Sequence, residues 1–159
     1  MERKEAACFT GHRELPPKGS PAYEKLVQRT RAAIIAAMDA GITRFYSGGA
    51  PGFDLLCGDL VLSLRHRYPQ TQLHLLLPYP SFQERFAPED RAAALRQRQR
   101  AASIVSLFDR YYSGCLYARD RELVKRADLC IAFLNHAPSG TAYTVTRAKE
   151  KGIPILYMA

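Results

Sequence analysis

Residues 42–67, ITRFYSGGAPGFDLLCGDLVLSLRHR, decide the fold. Ile42 to Tyr46 is β-branched and aromatic, a composition that suits a buried strand and ends in Ser47-Gly48-Gly49. A helix is expected from about Phe53 to Arg67, broken by Tyr68-Pro69. A strand that turns through glycines directly into a helix is the first half of a parallel crossover, because parallel strands cannot be joined by a hairpin.

The same alternation continues in both directions. Upstream, Ser20-Pro21 supplies a cap and a first-turn proline, and Leu26, Val27, Thr30, Ala33, Ile34, Ala37 and Met38 recur at helical spacing until Gly41. Before that helix, and across a two-proline loop, Ala6 to Thr10 reads as a short buried strand that stops at Gly11. Downstream, Gln72 to Leu77 is a third strand closed by Pro78-Tyr79-Pro80, and a helix opens at Pro88-Glu89-Asp90 and runs through about Ala102. Ile104 to Phe108, ending at Asp109, is a fourth strand, followed by a shorter helix over Leu116 to Ala127. Leu129 to Leu134 is a fifth strand, Tyr143 to Lys151 a helix stopped by Gly152, and Ile153 to Met158 a last strand whose Pro154 marks a sheet edge. The pattern predicts an α/β, Rossmann-like doubly wound fold with a mostly parallel sheet and helices on both faces, as one domain over residues 1–159 without repeat or linker.

The composition agrees with such a domain. Hydrophobic residues make up 47% and charged residues 24% of 159, which excludes the disordered and membrane classes. No apolar run approaches the ~20 residues of a spanning helix, and MERKEAACFTGHR lacks the apolar core of a signal peptide, so a cytoplasmic protein without a membrane partner is expected. Cys8, Cys57, Cys115 and Cys130 form no CxxC or Cys/His cluster, so no metal site is expected. Cys8 and Cys130 read as small hydrophobes, and Cys115, near a helix start, reads more readily as packed than as reactive. The formal charge of +8 favours polyanions or phosphorylated small molecules as partners. Part of that charge, Arg91, Arg96, Arg98 and Arg100, spreads around a helix as a solvated face. A homo-oligomer is left open.

In a parallel sheet every strand-to-helix loop emerges on one side, and ligands bind in the crevice there. Those loops are Thr10-Gly11-His12-Arg13, Ser47 through Asp54, Pro78-Tyr79-Pro80, Asp109 through Tyr112, and Asn135 through Ser139-Gly140-Thr141. Two of them, carrying Gly48, Gly49 and Gly52 with Ala50 and carrying Gly140, are glycine-rich helix entrances, where free N–H groups and the helix dipole favour an anion. Thr10, Ser47, Ser139 and Thr141 add donors, so a phosphate-bearing ligand is expected rather than two plain turns. The spacing GGxxG is neither the dinucleotide fingerprint nor a P-loop. Arg13 offers a planar fork for phosphate or forms a surface ion pair, and His12 is expected to orient a ligand rather than to catalyse. His66 and His74 read as structural, and His136 as exposed. Asp54 either caps its helix or takes ribose hydroxyls. Arg119 and Arg121 either clamp the ligand's anionic end or are an exposed pair, since residues two apart face different directions.

CFTGHR at 8–13, SGGAPGFD at 47–54, LPYP at 77–80, YYSGCLYARDR at 111–121 and SGTAYTVTRAKEKGIPI at 139–155 together resemble the SLOG superfamily of Smf/DprA and LOG proteins, and within it the short YpsA-like branch, over nearly the whole chain. The resemblance implies a Rossmann-like fold and a nucleotide or nucleotide-derived ligand held at the two glycine loops. The implied role is a sensor or an enzyme of undetermined reaction; no cofactor beyond that ligand and no catalytic residue is assigned. LOG-type phosphoribohydrolases have PGGxGTxxE at the second loop, and here Thr144 stands where that glutamate would be, which weakens the hydrolase reading because threonine is no carboxylate acid or base. The first loop is similar to the SGxAxGxD loop of DprA, with Ser47, Gly48, Ala50, Gly52 and Asp54 matching, so single-stranded nucleic acid is the alternative partner. The basic charge suits it; the sequence shows no evident aromatic stacking stripe.

Overall fold

The computed structural model describes residues 4–159. Its elements are β1 (Ala6–Gly11), α1 (Pro21–Asp39), β2 (Arg44–Ser47), α2 (Phe53–Leu64), β3 (Gln72–Leu77), α3 (Pro88–Arg100), β4 (Ser103–Ser106), α4 (Cys115–Arg126), β5 (Leu129–Phe133), α5 (Gly140–Lys151) and β6 (Ile155–Tyr157). All pairings are parallel, in the order β4-β3-β2-β1-β5-β6. The fold is therefore the Rossmann-like α/β sandwich expected from the alternation of strands and helices.

Side-chain alternation along each strand divides the core between two faces. Ala7 and Phe9 of β1, Phe45, Leu73, Leu75, Ile131 and Phe133 pack against α1 and α2, with Phe9 stacked on Phe45 at 5.8 Å. Cys8, Leu76, Cys130 and Ala132 face the other way, onto Leu123 and Val124 of α4 and Val145 and Ala148 of α5. Helix α3 lies against α2, where Ala93 and Ala94 meet Leu55. All four cysteines are buried and free. Among the described residues no helix is long and apolar enough to cross a membrane.

Several boundaries differ from the sequence reading for local reasons. Helix α5 starts three residues earlier than expected, because the Ser139 side chain accepts the Ala142 N–H and so caps the helix before its first aromatic residue. Strand β4 ends at Ser106, and the N–H groups of Leu107 and Phe108 then follow the exit of β3, donating to the carbonyls of Leu77 and Pro78. Helix α2 ends at Leu64, and β6 is limited to three residues at the sheet edge after Pro154.

The strand order places the site. From β1 the chain steps outward through β2, β3 and β4, then returns through α4 to β5 on the opposite side of β1. The loops leaving β1 and β5 thus diverge to opposite faces, and the crevice between them lies at the carboxyl ends of the two central strands.

Candidate functional site

At that crevice is a cavity of about 420 Å³ lined from four segments: Thr10 to Arg13 after β1, Ala50 and Asp54 at the start of α2, a face of α4, and Gly140 and Thr141 at the start of α5. The volume lies in the range of small-molecule sites.

The first glycine loop is folded on itself. Gly49 N–H donates to Ser47 Oγ at 3.1 Å, Ala50 N–H to Asp54 Oδ2 at 3.2 Å, and Phe53 N–H to the His12 carbonyl at 3.2 Å. Its carbonyls are engaged as well: Gly48 accepts from Arg119 Nη1 at 2.5 Å and Gly49 from Gln83 Nε2 at 2.9 Å. Gly52, at φ +82°, is the residue this turn requires, since a Cβ there would stand 2.3 Å from the Arg13 carbonyl oxygen.

The second glycine loop is open. Ser139 Oγ and Ser139 carbonyl take the N–H groups of Ala142 and Tyr143, which leaves the Gly140 and Thr141 N–H groups at the helix start with no intrahelical acceptor and against the cavity. A Cβ on Gly140 would meet no atom within 4 Å.

Between the loops lies a buried charge cluster. Arg119 is 4% exposed and donates through Nε to Asp120 Oδ1 at 2.8 Å as well as to Gly48. Its guanidinium lies 5.5 Å from the centre of the Phe82 ring, and Arg13 lies 5.7 Å from the same centre. Asp54 is buried, which raises its carboxyl to about 6, with Arg119 pulling the other way and Asp120 adding to the rise. Burial likewise raises Asp120, against the charge and hydrogen bond of Arg119 and a hydrogen bond from Thr144. Two carboxyls poised above their ordinary range in one cavity are suited to accept sugar hydroxyls or to exchange protons near neutral pH. Arg13 is exposed and, among the described residues, forms no ion pair, so it is the cation available to a bound anion.

His12 is 6% exposed and its Nε2 accepts the Asn135 N–H at 2.9 Å, which makes it a neutral imidazole with its proton on Nδ1. Burial lowers its pKa, and His136, stacked on it at 3.8 Å between ring centres, lowers it further. His136 Nδ1 in turn faces Asn135 Oδ1 at 2.8 Å. His12 thus orders the loop after β5. His66 and His74 bond Ser63, and Ser103 and Gln72, away from the cavity.

Of the residues singled out in the sequence, Thr10, Gly11, His12, Arg13, Ala50, Asp54, Arg119, Gly140 and Thr141 line the cavity together. Ser47, Gly48, Gly49 and Gly52 shape the turn behind it, and Ser139 and Asn135 hold the α5 entrance. Pro78 is buried and its carbonyl accepts the Phe108 N–H, away from the cavity. Arg121 is not brought in: it is exposed and donates to Tyr143 Oη at 3.0 Å. The reason is its place on α4: the cavity is lined by Leu116, Tyr117, Arg119, Asp120 and Leu123, and Arg121 lies one turn past Tyr117 on the flank that meets α5. Asp120 and Tyr117 are the polar residues the sequence reading passed over; the spacing of Asp120 from Leu116 and Leu123 was the available signal. Among the described residues no group of three His, Cys, Asp or Glu side chains is placed to hold a metal.

Comparison with known proteins agrees with this fold. A family model described as YspA SLOG family (YpsA) matches residues 8–154. DNA processing protein A of Helicobacter pylori, whose structure was described for its single-stranded DNA binding mode, is similar with a TM-score of 0.71 and 19% identity over 98% of this chain and 65% of that one. DprA of Streptococcus pneumoniae gives 0.67 and 18% over 97% of this chain and 50% of that one. The chain therefore spans between half and two thirds of these relatives, and at such identities the likeness is one of fold. No curated protein sequence matches the chain. Since the family match runs from β1 to the residue before β6 and takes in every loop at the crevice, the chain belongs to the YpsA SLOG family.

Proposed function

We propose that the crevice binds a nucleotide-derived metabolite, with its phosphate against the Gly140 and Thr141 N–H groups and Arg13, and its sugar hydroxyls against Asp54 and Asp120. The observation that carries this reading is the asymmetry of the two loops. The α5 start has free donors that open on the cavity, while the α2 start presents a carboxylate there. Anion and hydroxyl groups of one ligand therefore have opposite places to go. The protein would serve as a sensor or as an enzyme; the reading assigns a ligand class and no reaction. Thermal denaturation with AMP, ADP-ribose, NAD and adenosine tests it. A ligand at a hundredfold excess over its Kd should stabilise the fold by about 2.7 kcal/mol. A panel without any shift rejects the reading.

A second reading, cleavage of the ligand's N-glycosidic bond, is favoured by one contact. Thr144, which stands where LOG proteins have glutamate, has its hydroxyl 3.0 Å from the Gly140 carbonyl and within bonding reach of Asp120. A carboxylate from α4 thus stands near the α5 position that carries the glutamate in LOG proteins, which supports this reading. Chromatographic detection of free base from AMP, lost in Asp120→Asn, is the expected result. A protein that binds AMP and releases no base leaves only the binding reading.

A further inference from the structure

Tyr117, Arg121 and Lys125 follow one another at intervals of four on α4, and Tyr143, Arg147 and Lys151 do the same on α5. Residues four apart share a helix face, so each helix carries one stripe in the order tyrosine, arginine, lysine. The helices pack side by side and the stripes meet. The two tyrosine rings are edge to face at 4.6 Å, Arg121 bonds Tyr143 Oη, and the Arg147 guanidinium lies 5.2 Å from the Tyr143 ring centre. Lys151 Nζ donates to the carbonyls of Val124, Lys125 and Ala127 and so closes the end of α4.

The seam is a cleft of about 600 Å³ lined by Arg121, Lys125, Arg147 and Lys151, with Phe108 on one wall. Its one carboxylate, Glu122, is paired with Arg126 at 3.1 Å. Outside the lining, Glu150 pairs with Arg147 Nη2 at 2.6 Å, while Arg147 Nε is buried without a hydrogen-bond partner, and the remaining like charges at this spacing repel. Exposed rings stand where α4 begins: Tyr117, 48% exposed, borders the crevice, and Phe108 on the cleft wall is edge to face at 5.7 Å with Tyr112, 42% exposed, whose carbonyl accepts the Cys115 N–H at the first residue of α4.

We infer that the α4–α5 seam is a binding groove for single-stranded nucleic acid, with phosphates on Arg121, Lys125 and Arg147 and bases on the exposed rings of Tyr117 and Tyr112. The stripes extend over about 12 Å of helix, more than a single phosphate uses. Exposed rings beside a cationic seam suit unstacked bases, which a duplex does not offer. Lys151 contributes charge from its place at the end of α4. The cationic part of the groove lies outside the crevice, which the groove meets at Tyr117, and it stands whether or not the crevice binds a nucleotide.

The test is fluorescence anisotropy with labelled oligo-dT and oligo-rU across a salt series, with inorganic polyphosphate as competitor. Each phosphate contact adds about 0.7 to the slope of log affinity against log salt. The pair Lys125→Gln with Arg147→Gln should therefore lower the slope by about 1.4. Lys25→Gln with Arg29→Gln, the same charge change on exposed positions of α1 on the other face, should leave it unchanged. Tyr112→Ala, at a ring outside the crevice lining, should weaken oligonucleotide about tenfold while leaving polyphosphate unaffected. Lys125→Glu, at an exposed position, repeats the charge test without touching Arg147, and AMP titration into each variant reads the crevice independently. Absence of oligonucleotide binding, equal slopes for the two pairs, or equal loss of oligonucleotide and polyphosphate in Tyr112→Ala overturns the groove.

Discussion

Two glycine-rich turns lead into helices on the same edge of this sheet, and they are built for opposite ends. The turn before α2 uses its glycines to pack protein against protein: Gly48 makes room for Arg119, Gly49 for Gln83 and Leu77, and Gly52 for the backbone of Arg13. The turn before α5 has a glycine with no neighbour to accommodate. Glycine at a helix entrance therefore conceals unequal chemistry. What separates the loops is where the N–H groups go, inward at the first and toward the cavity at the second.

That contrast is broken most directly by adding one methyl group at each place. Gly52→Ala combines a left-handed φ with a backbone clash and should cost roughly 2–5 kcal/mol in urea denaturation. Gly140→Ala, at the exposed first turn of α5, should change stability by less than about 1 kcal/mol and in the stabilising direction. Similar losses at both positions would show that the second loop is packed like the first.

The next effect concerns Asp54. Its folded pKa, about 6, lies above the ordinary 3.8, so the native state binds the proton more tightly. That contribution is complete below the ordinary value and is lost as pH rises through about 6. Above it the buried charge costs roughly 2–3 kcal/mol, at about 1.4 per unit. Asp54→Asn should therefore raise stability at pH 7.5 by about 2 kcal/mol, have a flatter pH profile between 4 and 6, and bind ligand more weakly. A variant less stable than the wild type at neutral pH would contradict the assignment of burial as the dominant cause.

How much of this was legible depended on the range of the signal. Strand and helix order was written in local periodicity, as in Leu26 to Met38 and Ile42 to Tyr46, and the edge of the sheet that holds the site followed from topology. The inward turn of the first loop was not legible, because it depends on Gln83 and Arg119, residues 34 and 71 positions from their partners. Asp120 was overshadowed by the arginines beside it, although its helical phase with Leu116 and Leu123 was present in the sequence. No aromatic stripe runs along the sequence itself. Tyr117 and Tyr143 meet only because α4 and α5 pack side by side.

A smaller effect lies at His12. Its depressed pKa means that its contribution is complete above the ordinary value near 6.5 and is lost as pH falls through the lower folded value. Protonation removes the acceptor for Asn135 N–H, at a cost of about 1 kcal/mol. Amide exchange at Asn135 should accelerate on acidification with a midpoint below 6.5, and His12→Phe should remove that pH dependence. A pH-independent exchange rate in the wild type would detach His12 from control of the second loop.

The central claim is that the ligand's phosphate sits at the start of α5. Thr141→Val keeps the shape of a buried side chain and removes one hydroxyl from the cavity wall. Calorimetric titration of AMP and adenosine into the folded variant should show AMP weakened by about 1–2 kcal/mol and adenosine nearly unchanged. Equal losses for both ligands, or no loss for either, would place the phosphate elsewhere and contradict the account.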